Sequence, residues 1–355
     1  MRLGELTSCI SKKNKDGRCA TVCSVTNSQG FVLSTEFFTK EVFSKELRTY
    51  KLVERNQLAY NPSRINVGSI ALQDIADEVV VSPLYIVFAV DASRIDSSYL
   101  LRYLKSRPGL KQVEFNSIGT VRNNLKYDGL CQISVPLPSL EVQRSRVRSL
   151  IALETEIKEG EETLSKLDVL VKSRFVEMFE NDSLVERAQL KDICSLITDG
   201  THQSPRFQGE GIPFLFVSNI ADNKISYETT KFISKEDYEA LIARTPIEVG
   251  DVLVSAVGSF GHPAIVKDER PFCFQRHIAY LKPIRERVNS SFLHAALLSE
   301  ESQQYMDKAA KGAAQRTVTL RSFKDLAVPL PPLALQQEFA DFAARVDKSR
   351  FVVRS

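Results

Sequence analysis

The most specific short motif in this chain is Thr198-Asp199-Gly200-Thr201-His202. A polar loop of this kind can bring its backbone close to a phosphate at the glycine, while Thr and His side chains reach nucleic acid. The same residues also read as an ordinary turn, with Asp199 capping the loop. On sequence alone both readings stay open. His202 has no second histidine or cysteine at ligand spacing, so no metal is expected there. Ser255, Ser259 and Arg276 lie beside expected strands of the second half, and Arg64, Asn66 and Ser69 hold the comparable place in the first. Arg122-Asn123-Asn124 follows Gly119, as Gln315-Arg316-Thr317 follows Gly312. Arg and Asn make bidentate contacts to guanine and adenine edges, so these sets are candidates for reading bases. Surface Arg and Asn are common, and spacing by itself singles out none of them.

Catalytic patterns are missing. Asn61-Pro62-Ser63-Arg64 lacks the second proline and the aromatic that would stack on a flipped base, and reads as a turn. Gly258-Ser259-Phe260-Gly261 with Lys267 does not have the spacing of a phosphate-cradling loop. Ser, His and Asp occur without a nucleophile elbow, and no carboxylate–lysine cluster of a metal nuclease stands out. The six cysteines are scattered; Cys19 and Cys23 sit close, but no second pair completes a zinc site. They read as reduced thiols.

These residues must be held by a framework, and that framework is written twice. Val135-Pro136-Leu137-Pro138-Ser139-Leu140-Glu141-Val142-Gln143 returns 193 residues later as Val328-Pro329-Leu330-Pro331-Pro332-Leu333-Ala334-Leu335-Gln336. Ser97-Ser98-Tyr99-Leu100-Leu101 matches Ser290-Ser291-Phe292-Leu293-His294 at the same offset, and Gly119 falls on Gly312. Gly68-Ser69 answers Gly258-Ser259, and Leu3-Gly4-Glu5-Leu6 answers Leu190-Lys191-Asp192-Ile193, at slightly smaller offsets. One half is therefore expected to be built like the other.

Each half opens with a mixed α/β unit, at residues 1–138 and 186–331. Val79–Val81, Tyr85–Val90, Phe214–Val217, Asp251–Val254 and His277–Leu281 read as strands. Asp96–Lys105 and Phe292–Leu298 read as equivalent helices, the first ended by Arg107-Pro108-Gly109. Asn181-Asp182-Ser183 is a polar break. Residues 139–181 form a long helix whose apolar seam runs Leu150, Ile157, Leu164, Val171 and Met178, with Leu153 and Leu167 interleaved. A helix of about 40 residues spans roughly 60 Å and needs a long partner. A second copy of the chain would serve, but the repeat favours the chain's own helix at 332–355, with Leu335, Phe339, Phe342 and Val346 on its apolar face.

The two Pro-Leu-Pro-x-Leu-x-x-Gln segments, Lys172-Ser173-Arg174-Phe175-Val176-Glu177-Met178-Phe179 and Ile197-Thr198-Asp199-Gly200-Thr201-His202 together resemble the specificity subunits of type I restriction–modification systems. The resemblance covers essentially the whole chain. It implies an α/β (α+β) protein with two similar target-recognition domains separated by long helices forming an antiparallel coiled coil, the second helix shortened. It implies a non-catalytic, cytoplasmic subunit reading a bipartite asymmetric site on double-stranded DNA. Its partners would be two methylation subunits using S-adenosylmethionine, and restriction subunits using ATP and Mg2+. The chain itself would bind no cofactor and no membrane. A formal net charge of only +3 suits phosphate contacts shared with partners better than solitary DNA binding. The alternative from another class is a coiled-coil scaffold whose globular ends bind protein.

An antiparallel pair that sets residue 181 against 332 places Ser355 opposite residue 158. Leu150, Ile151, Leu153 and Ile157 then lack a partner helix, and are expected to be covered by the first recognition domain or by a methylation subunit.

Overall fold

The computed structural model describes residues 1–37, 44, 46–118, 124–180, 185–313 and 315–354, the last four as backbone only. The chain divides into two compact units, Met1–Ile157 and Lys158–Ser355.

In the first unit the central sheet runs Thr7–Ile10, Ile86–Val90, Leu58–Tyr60, Ile70–Leu72, each strand antiparallel to the next. In the second the order is Cys194–Asp199, Ile278–Pro283, Val252–Ser255, Pro263–Ile265, again antiparallel. The two sheets match strand for strand. The central strands are rich in apolar and aromatic residues and are buried on both faces, while the edge strands Thr7–Ile10 and Cys194–Asp199 are partly exposed. On one face of each sheet packs a helical pair. Asp96 caps Ser97–Lys105 by accepting from Tyr99 N at 3.0 Å, and Asn289 caps Ser290–Leu298 by accepting from Ser291 N at 2.8 Å. Ser106 and Ser299 then cap the following helices, Arg107–Phe115 and Glu300–Ala309. Arg107-Pro108-Gly109 therefore does more than end a helix. Pro108 lies in the first turn of the next one, where its missing N–H costs nothing. Gly109 is required there, because a Cβ would stand 2.0 Å from the Tyr103 carbonyl.

The long helix covers Leu140–Phe175 and continues into one π-helical turn, Val176–Glu180. The second long helix is Leu333–Arg354. Within the second unit they run antiparallel. Arg174 reaches Glu338 at 3.4 Å, Arg350 reaches Asp168 at 2.7 Å, and the Phe175 and Phe339 rings lie 5.5 Å apart. These pairs fall within a few residues of the register expected from sequence. Phe179 and Phe292 close the cluster, their rings 5.0 Å apart.

The helix seam differs from expectation in detail. Val171 and Met178 pack on the second core, and Leu164 and Leu167 are half-buried. Phe339 and Val346 are buried and Phe342 half-buried. Leu335 is not part of the seam; it is 42% exposed, and its neighbour Gln336 is buried instead. The Pro331-Pro332 segment and the inward amide of Gln336 rotate the first turn by one residue. Leu150, Leu153 and Ile157 likewise lie outside the first unit's core, being 44%, 55% and 62% exposed, as is Ile151 at 47%. The first unit meets this helix at buried Val147 and again at Glu154, whose two oxygens accept from Arg102. The first domain therefore reaches the helix beside this stripe but leaves the four aliphatic side chains largely exposed. The polar break at 181–183 lies outside the described residues.

Candidate nucleic-acid interface

Three chain segments leave the second sheet at one end. Asp199 pairs with Ala279 and Ser255 with Ile278, so the loops after Asp199 and Ser255 and the turn before Ile278 sit side by side. A fourth segment joins them: Val257 bridges Thr317, Gly258 N donates to Arg316 O at 3.0 Å, and Val318 N donates to Ala256 O at 2.9 Å. The second-half candidates thus converge on one surface. Thr198 itself is within the strand, opposite Tyr280, and half-buried.

Gly200 sits where the backbone must pass close to its neighbour. A Cβ there would lie 2.2 Å from Phe274 O and 2.5 Å from Gln275 O. Thr201 N then donates to Phe274 O at 3.1 Å, and Arg276 N donates to Thr201 O at 3.0 Å. The glycine stitches the motif to the segment carrying Arg276. Asp199 holds His202 Nε2 at 2.9 Å on one oxygen and Arg244 Nη2 at 2.9 Å on the other. Its carboxylate is 14% exposed, while the His202 and Arg244 side chains are more than half exposed. Asp199 therefore positions His202 and Arg244 rather than facing solvent itself. Arg244 was invisible in the sequence, lying in an unremarkable Ala-Arg-Thr stretch 45 residues away.

Arg276 and Gln315 are exposed, and among the described residues no side chain or carbonyl binds their polar groups. Arg316 is less free. It pairs with Asp307 Oδ1 at 2.7 Å, donates to the Asp307 carbonyl, and stacks 5.3 Å over the Phe260 ring. Ser259 is exposed and bonded to His262. Ser255 is not a surface candidate. It is wholly buried, and its hydroxyl accepts from His262 N at 2.9 Å.

The first unit builds the same end with other residues. Ile118 and Asn124 form the same two-way bridge as Lys311 and Thr317, and Leu125 N donates to Pro62 O at 3.0 Å. This lays Asn124 beside the Asn61–Arg64 turn. Arg64 and Asn66 are exposed, without side-chain partners among the described residues. Ser69 is only 4% exposed and donates to Val25 O at 2.9 Å, so its role is to hold the loop. Arg122 and Asn123 lie outside the described residues. Where the second unit has its Thr-Asp-Gly-Thr-His loop, the first leaves Ile10 into Ser11-Lys12-Lys13-Asn14-Lys15, whose three lysines are exposed. Three lysines within four residues were the available signal for this patch. Among the described residues no three His, Cys, Asp or Glu side chains gather as metal ligands, and no helix is long and apolar enough to cross a membrane.

Residues 183–351 match the family model of the type I restriction modification DNA specificity domain. Over 129 residues the chain is 30% identical to the type I restriction enzyme EcoBI specificity subunit of Escherichia coli, covering 36% of this chain but 27% of that subunit. The type I restriction enzyme MjaVIII specificity subunit of Methanocaldococcus jannaschii is 23% identical over 339 residues, covering 89% of this chain and 78% of the relative. In fold, the chain superposes on the type I restriction–modification S subunit from M. genitalium with a TM-score of 0.61 and 13% identity, covering 100% of this chain and 90% of the other. The doubled sheet, the paired Gln-led helices and these relatives agree: residues 183–351 carry a type I restriction modification DNA specificity domain, and the chain has the fold of type I restriction–modification S subunits.

Proposed function

We propose that this chain recognises a specific sequence in duplex DNA for a type I restriction–modification complex, as its non-catalytic address-reading subunit. The observation that carries this is the duplicated sheet end. In both units matching backbone segments converge, and in both they expose Arg, Asn or Gln side chains that have no partner among the described residues, the types suited to base edges. Two such surfaces built from different residues favour a bipartite, asymmetric target. The exposed stripe of Leu150, Ile151, Leu153 and Ile157 is assigned to a methylation subunit, two of which would serve the complex with S-adenosylmethionine. Restriction subunits would add ATP- and Mg2+-dependent cleavage.

The test is methylome sequencing of cells expressing this chain with its methylation partner, alongside a gel shift over a salt series. Two short specified blocks separated by an unspecified spacer are expected, with affinity falling steeply as salt rises. Exchanging residues 186–331 for another subunit's domain should change one block only. A single continuous motif, or no sequence preference at all, contradicts the proposal; the latter is the behaviour of a scaffold.

A further inference from the structure

Ser259 stands on a tight loop between Gly258 and Gly261, whose φ angles of +74° and +83° suit glycine. Its hydroxyl oxygen lies 3.0 Å from His262 Nε2, and His262 Nδ1 lies 3.1 Å from Asn223 Oδ1. With the amide oxygen of Asn223 turned toward Nδ1, as it is placed, the neutral His262 tautomer that fits carries its proton on Nδ1 and leaves a lone pair at Nε2. That lone pair accepts the hydrogen bond that the Ser259 hydroxyl donates.

The frame behind this chain of bonds is fixed. His262 N donates to the Oγ of buried Ser255, and Asn223 sits at φ +58°, its carbonyl 3.2 Å from His294 Nε2. A free serine hydroxyl rotates, donating or accepting as required, and so distinguishes base edges poorly. Here the single proton is committed inward. What Ser259 presents outward is lone pairs alone, which repel phosphate oxygens and the acceptors of guanine and thymine. In the major groove the matching donors are the exocyclic amino groups of adenine and cytosine.

We propose that Ser259, locked by His262 and Asn223, is an acceptor-only specificity residue that selects an adenine or cytosine amino group in the half-site read by the second domain. The proposal rests on the DNA-recognition reading above. The first domain lacks the device: Ser69, which stands just before strand Ile70–Leu72 as His262 stands just before Pro263–Ile265, is buried and donates to Val25 O. The amide nitrogen of Gln315 lies beside Gly258, so a second polar group flanks the same spot.

The experiment uses the full chain assembled with its methylation subunits, on the target defined by methylome sequencing. Each adenine of the second half-site is replaced by purine, and each cytosine by pyrimidin-2-one, removing one amino group at a time. One replacement should weaken wild-type binding roughly ten- to hundredfold, in the range of a good direct base contact, and weaken Ser259→Ala no further. Ser259→Thr should retain the effect. His262→Phe, which frees the hydroxyl, should lose most of it. If every replacement weakens wild type and Ser259→Ala equally while both still prefer the target, the assignment to Ser259 is wrong and DNA recognition stands. If wild type shows no sequence preference, the broader reading fails first.

Discussion

Gln143 and Gln336, 193 residues apart, make the same three hydrogen bonds. The side-chain oxygen of each accepts from a helix N-cap backbone, Asp96 N at 2.9 Å and Asn289 N at 2.8 Å. The amide nitrogen donates to Arg94 O and Pro138 O in one unit, and to Arg287 O and Pro331 O in the other. Both side chains are fully buried. Each glutamine thus bolts the start of a long helix to the helical layer of its own unit. Removing it leaves a buried N–H and two carbonyls short of a partner, at about 1–3 kcal/mol per orphaned group before relaxation. Gln143→Ala and Gln336→Ala should each cost roughly 2–4 kcal/mol. Hydrogen exchange should locate the loss of protection in the first unit for one variant and the second for the other. Equal loss in both units from either variant would contradict this.

These glutamines show what sequence could and could not convey. The repeated Pro-Leu-Pro-x-Leu-x-x-Gln segment announced a duplicated architecture, and the matched sheets follow from it. The same periodicity misplaced Leu335, because a polar residue, Gln336, occupies the buried position that hydrophobic spacing assigns to leucine. Ser69 and Ser255 looked like surface candidates because strand-end serines usually are; both hydroxyls are consumed inside the fold. The partnership of Asp199 with Arg244, and of His262 with Asn223, depends on loops meeting at a sheet end. No spacing along one chain encodes it.

Gly200 offers a test of how the motif loop is held. Its missing Cβ lets the chain approach Phe274 and Gln275 within a distance no side chain tolerates. Gly200→Ala should separate Thr201 and His202 from the segment carrying Arg276. Because the clash is with backbone, relief requires local opening at the strand end rather than a rotamer change. The expected stability loss is about 1–3 kcal/mol, in the range for overpacking. Recognition of one half-site should fall with it, leaving the other unaffected in a competition assay. Loss of both half-sites equally would show that the loop matters only for global folding.

The second unit should weaken in mild acid. Burial holds the His294 imidazole below the usual histidine range, outweighing the carbonyls of Asn223 and Pro263 that its ring faces. Burial and neighbouring Arg276 lower His277 in the same sense. A depressed histidine pKa means the folded state binds fewer protons than the unfolded one. Its stabilisation is then complete above the unfolded value, near 6.5, and is lost as pH falls below it. Melting of the second unit should drop between pH 7.5 and 5.5, and His294→Gln should flatten that slope. An unchanged slope in His294→Gln would remove His294 as its source.

The stripe of Leu150, Ile151, Leu153 and Ile157 separates stability from assembly. All four are between 44% and 62% exposed, on a helix whose ends are anchored by Val147 in one unit and Phe175 in the other. Replacing exposed aliphatics changes little in the chain by itself, since surface substitutions usually stay within about 0.5 kcal/mol. Covering them by a partner would bury apolar surface worth up to about 1.5–3 kcal/mol per side chain. The double variant Leu153→Glu, Ile157→Lys should therefore melt like wild type yet fail to co-purify with the methylation subunit. The conservative pair Leu153→Met, Ile157→Leu should still assemble. Hydrogen exchange adds an independent readout, with slowed exchange over residues 150–157 when the partner is added. If the charged variant assembles with undiminished affinity, the stripe does not carry the contact and the methylation subunit docks elsewhere on this chain.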